Sequence, residues 1–136
     1  MKIHFVCSGN IFRSRLAEAY LKSKKISSLE ISSSGTRANH NLPGEVCFYT
    51  VEVAKKYQIT AYLSSNWTLT TKELLTGQDL IIFMKDNHRQ FCEKDLSFKA
   101  KNYQVWGIED IPDEMLLSGN RDEIIDLAEQ KFLQIT

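Results

Sequence analysis

The sequence predicts an α/β protein in which helices cover both faces of a parallel sheet, giving three layers. Short apolar runs alternate along the chain with segments whose apolar residues recur every three or four positions. Two of these runs, Ile3 to Val6 and Leu80 to Met84, are mostly apolar along their whole length, as in strands buried on both faces. With 136 residues and 43% hydrophobic content, we expect residues 1–136 to form one domain.

The first two elements flank the most informative loop of the chain. Ile3 to Val6 is an apolar run followed by a Gly-Asn turn signal, which predicts a strand. From Arg13 to Lys25, apolar residues recur at helical spacing and lysines gather near the end, which predicts a helix. The intervening loop is therefore expected at the carboxyl end of a strand and the N-terminus of a helix.

The later elements alternate in the same way. In chain order, we expect a strand at Leu29 to Ser33, a helix at Glu45 to Tyr57, a strand at Leu80 to Met84, a helix at Asp86 to Asp95, a weaker strand at Tyr103 to Trp106 and a helix at Asn120 to Phe132. Asn120 is a suitable N-cap for the last helix. Parallel sheets bind ligands beyond the carboxyl ends of their strands, where the strand order switches. The strand order itself is not fixed by the sequence.

Charge and cysteine usage limit the classes of partner. Lys plus Arg equals Asp plus Glu at 17 each, so we expect neither nucleic acid nor a membrane surface as the partner. The apolar runs are too short for a signal peptide or a span of ~20 residues, and three distant cysteines suit a reducing compartment. We therefore expect a cytoplasmic protein. His4 and His88 lack metal-ligand spacing to cysteines or carboxylates, so we expect no metal and no cofactor.

The segment from Cys7 to Ser14 reads Cys-Ser-Gly-Asn-Ile-Phe-Arg-Ser, and among the cysteines only Cys7 has an arginine six positions later. Backbone N–H groups between a strand and a helix can converge on an anion, and the helix N-terminus adds partial positive charge. Gly9 and Asn10 tolerate a left-handed backbone, and Arg13 offers a planar fork for two phosphate oxygens. The predicted phosphate-binding residues are Ser8, Gly9, Asn10, Ile11, Phe12, Arg13 and Ser14.

The same electrostatic field predicts a reactive thiol at Cys7, because a helix N-terminus and a guanidinium both stabilise the thiolate. Its sulfur would attack phosphorus and form a phosphocysteine, with the charge of the transferred group met by Arg13 and the loop amides. Two readings of Ser14 stay open: a hydroxyl that stabilises the thiolate leaving group, or a polar residue of the first helical turn. We expect Arg15 to be a solvated helix residue.

Three motifs resemble the low-molecular-weight protein tyrosine phosphatases. Val6 to Ser14 is similar to their signature, Ser32-Ser33-Ser34-Gly35-Thr36 to their second-strand motif, and Asp79 to Met84 to their third strand. The resemblance implies a four-stranded parallel sheet of the phosphatase I-like, flavodoxin-like or Rossmann-like type, and phosphomonoester hydrolysis without metal. By matching position, it implies that Asn10 braces the loop and that Ser34 joins its supporting hydrogen bonds.

The resemblance also implies a general acid, which helps a phenolate with a conjugate-acid pKa of ~10 to leave. The family places an Asp shortly before the last helix. Ile111-Pro112-Asp113 resembles the run into that residue, so we choose Asp113 over Asp110. The alternative for both is an ordinary solvated acidic loop.

The sequence departs from the family pattern at several positions. Phe12 stands where many relatives carry a second loop cysteine, which implies that a protective disulfide with the nucleophile is missing. Asn39 replaces a frequent cleft aromatic, Ser64 a supporting histidine, and Glu114 the proline after the acid. These changes concern the choice of substrate more than the chemistry of the loop.

Three functions fit these residues. The expected one is a cysteine-dependent phosphatase that acts on phosphotyrosine or a related aryl phosphate. A thiol-coupled arsenate reductase is an alternative, although Cys47 and Cys92 lack the close spacing that a disulfide relay needs. A phosphate-binding module with weak or no catalysis is the other. Neither the physiological substrate nor the oligomeric state follows from the sequence.

Overall fold

The computed structural model describes residues 1–41 and 47–136, and these build a four-stranded parallel sheet between two layers of helices. The strands are β1 (Lys2–Cys7), β2 (Glu30–Gly35), β3 (Leu80–Phe83) and β4 (Tyr103–Val105), side by side in the order β2-β1-β3-β4. The predicted α/β class and the parallel sheet are confirmed, and each predicted strand exists within two residues of its expected bounds.

The helices are α1 (Arg13–Ser23), α2 (Phe48–Lys56), α3 (Lys72–Thr76), α4 (Asp86–Asp95), α5 (Asp113–Ser118) and α6 (Arg121–Ile135). The bounds predicted for α4 agree with the structure, and Asn120 caps α6 by accepting the Glu123 N–H at 2.8 Å. The expected start of α2 at Glu45 lies outside the described residues. Helices α3 and α5 were not predicted, because five or six residues are too few for helical periodicity to show.

Successive residues of β1 point to opposite faces of the sheet, and each face has its own core. Phe5 packs with Leu16 of α1 and Phe132 of α6 in the larger cluster. Val6 packs with Phe83 and Leu75 in the smaller one. Burying both faces explains why β1 and β3 read as continuous apolar runs rather than alternating ones.

The strand order places the loop after β1 at a switch point. From β1 the chain continues to β2 on one side and later to β3 on the other, so the helices that follow these strands lie on opposite faces. In the register of the sheet Cys7 pairs with Gly35, and Val6 pairs with both Ser34 and Phe83. The loop that begins at Cys7 therefore opens into the crevice where such sheets bind ligands.

No helix among the described residues is both long enough and apolar enough to cross a membrane.

Candidate active site

The loop from Cys7 to Phe12 is held in place by donors that reach its carbonyl groups from outside. The recorded acceptor–donor pairs are Cys7 O with Thr36 N, Ser8 O with Arg37 N, Gly9 O with Asn41 Nδ2, Asn10 O with Arg15 Nη1, Ile11 O with Thr50 Oγ1 and Phe12 O with Leu16 N. Their distances run from 2.6 to 3.5 Å. Carbonyls that are turned outward leave the amides of the same loop to face its centre, which is the geometry of an anion cradle.

Asn10 braces this loop from within. It adopts a left-handed backbone with φ of 56°, and its backbone N–H lies 3.3 Å from Cys7 Sγ. Its side-chain amide donates to Ser14 Oγ at 2.7 Å and to Ser33 Oγ at 2.9 Å, and its Oδ1 accepts the Thr68 N–H at 2.8 Å. Every polar group of the buried amide is thus engaged, so the turn has one fixed conformation.

The hydrogen bonds around Asn10 also set the direction of the Ser14 hydroxyl. Asn10 donates to Ser14 Oγ, and Cys7 Sγ lies 2.9 Å from the same oxygen. When Cys7 is a thiolate its sulfur can only accept, so the Ser14 hydroxyl is then the donor. Ser33 in turn donates to Glu18 Oε1 at 2.6 Å, which anchors the chain of donors on a buried carboxylate. A hydroxyl donor on the sulfur is what a thiolate needs, so the geometry favours the first of the two readings of Ser14.

The expectation that Ser34 joins the hydrogen bonds supporting the loop was wrong, because its recorded bonds lead away from the loop. The hydroxyl of Ser34 bonds His4 Nε2 at 2.7 Å and Thr70 Oγ1 at 2.6 Å. Ser33 supplies the hydroxyl next to Asn10 instead. Side chains alternate along a strand, so the one-residue difference puts Ser33 on the α1 face and Ser34 on the opposite face.

Arg13 and two carboxylates meet across the cleft above the loop. Arg13 is buried, and its Nη1 donates to the Ile108 carbonyl at 2.9 Å. Its Nη2 lies 3.6 Å from Asp110 Oδ2. Asp110 and Asp113 both line the cleft, which has a volume of about 320 Å³ and includes Cys7. The structure therefore brings Cys7, Arg13 and both candidate acids to one opening.

The wall of this cleft is mixed in character. Ile11, Tyr49, Ile111 and Leu116 contribute apolar surface, while Arg37, His40 and Asn41 contribute polar groups. Phe12 also borders the cleft, but its ring is buried edge-on against Tyr49, with centroids 5.1 Å apart.

The low molecular weight phosphotyrosine protein phosphatase family model matches residues 2–114, which include the loop, the sheet and both acidic residues. The chain belongs to this family. As a member it is a cysteine-based phosphatase that works through a phosphocysteine intermediate, and the reductase and binding-module alternatives give way to this assignment.

Relatives of known activity or structure resemble the phosphatase along nearly its whole length. It is 29% identical over 150 aligned positions to a protein-arginine-phosphatase of Bacillus subtilis (strain 168), covering 99% of this chain and 97% of that protein. Its fold matches Vibrio vulnificus Wzb in complex with benzylphosphonate with a TM-score of 0.77 and 25% identity, covering 98% and 92% of the two chains. A YwlE arginine phosphatase mutant with a phosphorylated active-site serine matches with a TM-score of 0.72 and 25% identity, covering 99% and 93%.

Arg15 of the phosphatase is not the solvated residue that the sequence indicated. It is 1% exposed, donates to Ser64 through Nε at 3.1 Å, bonds the Ser64 carbonyl through Nη2, and lies 3.5 Å from the Asn10 carbonyl. Burial lowers the pKa of Arg15, and the nearby Glu18 carboxylate opposes that shift. The expectation failed because the first turn of α1 packs under the loop, so that polar residues there serve the loop rather than solvent.

His88 is a second residue near the site whose place the sequence did not indicate. It is 1% exposed, and its Nε2 lies 2.9 Å from the hydroxyl of Ser8, the residue after the candidate nucleophile. Its Nδ1 accepts the Lys85 N–H at 3.1 Å, which gives a backbone donor at the start of α4 its partner. Burial, with a smaller effect of Arg13, lowers the pKa of His88 from 6.5 to about 3.

The other cysteines differ in their distance from the chemistry. Cys47 is half-buried and lines the cleft, whereas Cys92 is buried in the smaller core cluster and burial raises its pKa to about 11. A thiol in that environment is a poor relay for disulfide exchange. Across residues 1–41 and 47–136, no three His, Cys, Asp or Glu side chains form a group that could hold a metal ion.

Proposed function

We propose that the phosphatase hydrolyses phosphotyrosine on proteins or a related small aryl phosphate. The single observation that carries this proposal is the cleft of about 320 Å³, which joins Cys7 to apolar wall residues. Ile11, Tyr49 and Leu116 offer the surface that an aromatic ring buries favourably.

In the proposed mechanism Cys7 is the nucleophile. Its thiolate attacks phosphorus while the loop amides and the Arg13 guanidinium hold the non-bridging oxygens, and the bond to the leaving oxygen breaks. Water then attacks the phosphocysteine and releases phosphate. The Ser14 hydroxyl, 2.9 Å from Sγ, stabilises the departing thiolate in this second step.

Asp113 is the proposed general acid, which protonates the leaving phenolate and later takes a proton from water. Asp110 is already engaged with Arg13 at 3.6 Å, and its Oδ1 accepts the Ile111 N–H at 2.8 Å. The ion pairs recorded in the described part of the chain do not include Asp113, which lines the same cleft at the start of α5. Asp110 is assigned the supporting role of orienting Arg13.

A second candidate substrate is phosphoarginine, because the Bacillus subtilis relative is a protein-arginine-phosphatase. The guanidinium of phosphoarginine is polar and would need acceptors such as Asp110 and Asp113, both of which line this cleft. The apolar side chains of Ile11 and Leu116 provide no hydrogen-bond acceptor for a guanidinium. Because Asp110 is engaged with Arg13 and Asp113 is the proposed general acid, we rank the aryl ester first.

Steady-state kinetics with three substrates test the proposal: p-nitrophenyl phosphate, a phosphotyrosine peptide and the same peptide with phosphoarginine. We expect turnover of the first two, abolished in Cys7→Ser, and a lower kcat/KM for phosphoarginine. A preference for phosphoarginine would overturn the substrate assignment, and no turnover by the reduced enzyme would overturn the proposed reaction.

The acid assignment is tested by comparing Asp113→Asn with Asp110→Asn. Loss of a general acid costs roughly 10²–10⁴-fold in rate with a poor leaving group, and much less with p-nitrophenolate, which leaves without protonation. We expect this dependence on the leaving group for Asp113→Asn alone. The same dependence in Asp110→Asn alone would reverse the assignment.

The proposed location is the cytoplasm. Cys7, Cys47 and Cys92 are all free thiols, and a catalytic thiolate needs a compartment that keeps it reduced.

A further inference from the structure

A buried histidine contacts the loop at the residue that directly follows the nucleophile. His88 Nε2 and Ser8 Oγ lie 2.9 Å apart, although 80 residues separate them in the chain. Ser8 lines the cleft, and its carbonyl is fixed by the Arg37 N–H at 2.8 Å. The mechanism above uses neither the Ser8 hydroxyl nor His88.

The hydrogen bonds fix which nitrogen of His88 carries the proton. Nδ1 accepts the Lys85 N–H, so it has no hydrogen. A neutral imidazole then carries its hydrogen on Nε2 and must donate it to Ser8 Oγ. Burial lowers the pKa of His88 to about 3, which keeps the ring neutral at neutral and mildly acidic pH.

This tautomer determines what the Ser8 hydroxyl can do. With its oxygen already accepting from His88, the Ser8 hydrogen cannot return to the ring and is available to another acceptor. Ser8 lines the same cleft as Cys7 and Arg13, and the unprotonated oxygens of a phosphoryl group can only accept hydrogen bonds. The pair is thus set to present one donor to the bound group.

We propose that the side chain of Ser8 donates a hydrogen bond to the phosphoryl group and that His88 is the positioning residue that holds Ser8 in this role. This inference rests on the proposed phosphate site at the Cys7 loop. In this role Ser8 adds a side-chain donor to the amide cradle, and His88 acts on the site as well as on the N-terminus of α4.

Four variants separate this role from a structural one. Ser8→Ala removes the donor, and Ser8→Thr keeps a hydroxyl. His88→Asn retains an acceptor for the Lys85 N–H at the same helical position, but its shorter side chain does not reach Ser8. Ser32→Ala is the matched control, since it deletes a Ser–His hydrogen bond of 2.6 Å to His4 on β1, a residue outside the cleft lining.

The measurements are calorimetric affinity for inorganic phosphate and kinetics with p-nitrophenyl phosphate. We expect Ser8→Ala to weaken phosphate binding about tenfold and to raise KM, as for a lost bond to a charged group. His88→Asn should weaken binding by a smaller factor, and Ser8→Thr should recover most of the affinity that Ser8→Ala loses. Ser32→Ala, outside the cleft, should stay close to the wild type. The double variant Ser8→Ala/His88→Asn should bind no more weakly than Ser8→Ala, because His88 acts only through the missing hydroxyl.

The inference is overturned if Ser8→Ala binds phosphate within twofold of the wild type, or if the two substitutions weaken binding additively. Thermal unfolding of each variant shows whether a loss of binding comes from misfolding. If Ser8→Ala folds poorly, His88→Asn decides the matter, because phosphate binding by that variant within twofold of the wild type would then overturn the inference. Absence of phosphate binding by the wild type would overturn this inference and the proposed function together. Wild-type binding and turnover that Ser8→Ala leaves unchanged would overturn this inference alone.

Discussion

Gly35 allows the loop to approach β2, and replacing it with alanine is the sharpest test of the site. Gly35 pairs with Cys7 in the sheet register. A Cβ atom built on Gly35 would lie 2.5 Å from the Ser8 carbonyl oxygen, 2.7 Å from the Asn10 nitrogen and 2.8 Å from the Gly9 carbon. All three are backbone atoms of the cradle, so no side-chain rotation can relieve the clash.

The size of the effect follows from these distances. Ordinary contact begins near 3.4 Å, so the loop has to retreat from β2 by roughly 1 Å. A misplacement of ~1 Å in a catalytic constellation costs about 10²-fold in rate. We therefore expect Gly35→Ala to lower kcat/KM for p-nitrophenyl phosphate by about 100-fold and to weaken inhibition by orthovanadate, which requires the same amides.

Gly77→Ala is the matched control. Gly77 ends α3 with an ordinary φ of −84°, and a Cβ there meets no atom within 4 Å. This variant should keep wild-type kinetics, and both variants should be compared by thermal unfolding and by circular dichroism. A folded Gly35→Ala enzyme with kcat/KM within threefold of the wild type would refute the claim that backbone contact with Gly35 sets the shape of the cradle.

Three further predictions concern the network beneath the cradle. Ser14→Ala should slow hydrolysis of the phosphocysteine by about tenfold or more, visible as a burst of p-nitrophenol before a slower steady state; single-phase kinetics would contradict it. Arg15→Met should lower the free energy of unfolding by about 2 kcal/mol in urea titrations, because the Ser64 and Asn10 carbonyls lose a donor. The control is Arg121→Met, at an exposed arginine of α6, which should have little effect on that free energy. Burial lowers the pKa of His4 to about 4 and of His88 to about 3, from 6.5, so below pH 6.5 the unfolded chain binds protons that the folded chain refuses. The free energy of unfolding should therefore be highest above pH 6.5 and fall as the pH approaches 4, by at most about 1.4 kcal/mol per pH unit for each histidine. Urea titrations at several pH values measure this. A free energy of unfolding that stays constant over this range would contradict the claim that both buried histidines are neutral in the folded protein.

The part of the site that sequence reasoning predicted is the part whose chemistry is local. Cys7, Asn10 and Arg13 are only a few residues apart, and a strand and a helix on either side leave the loop few conformations. The signal for β1 and α1 was strong because one is an apolar run and the other has helical spacing. Local pattern therefore sufficed to bring Cys7, Asn10 and Arg13 to one centre, whereas the bracing role expected of Asn10 came from the family resemblance.

Residues that act on the loop from elsewhere in the chain gave no such signal. His88 looks like any polar residue in the first turn of α4, and only the packing of that helix beside the loop brings its ring to Ser8. Whether Ser33 or Ser34 bonds Asn10 depends on which face of β2 packs against α1. A one-residue shift in strand phase exchanges the two faces, and three consecutive serines carry no alternation that would fix it.

The outward carbonyls of the cradle explain why a Cys-x5-Arg match alone does not specify a phosphate site. A free loop could turn its peptide planes either way, and an anion is bound only when several amides point to one centre. Here the loop carbonyls accept hydrogen bonds from three other segments of the chain. The donors are Arg37 and Asn41 after β2, Arg15 of α1 and Thr50 of α2. Each of these bonds fixes one peptide plane, and the amide direction follows without any contact to the ligand. The binding geometry is thus encoded mainly outside the motif, in donors whose loss would leave the motif intact and the cradle disordered.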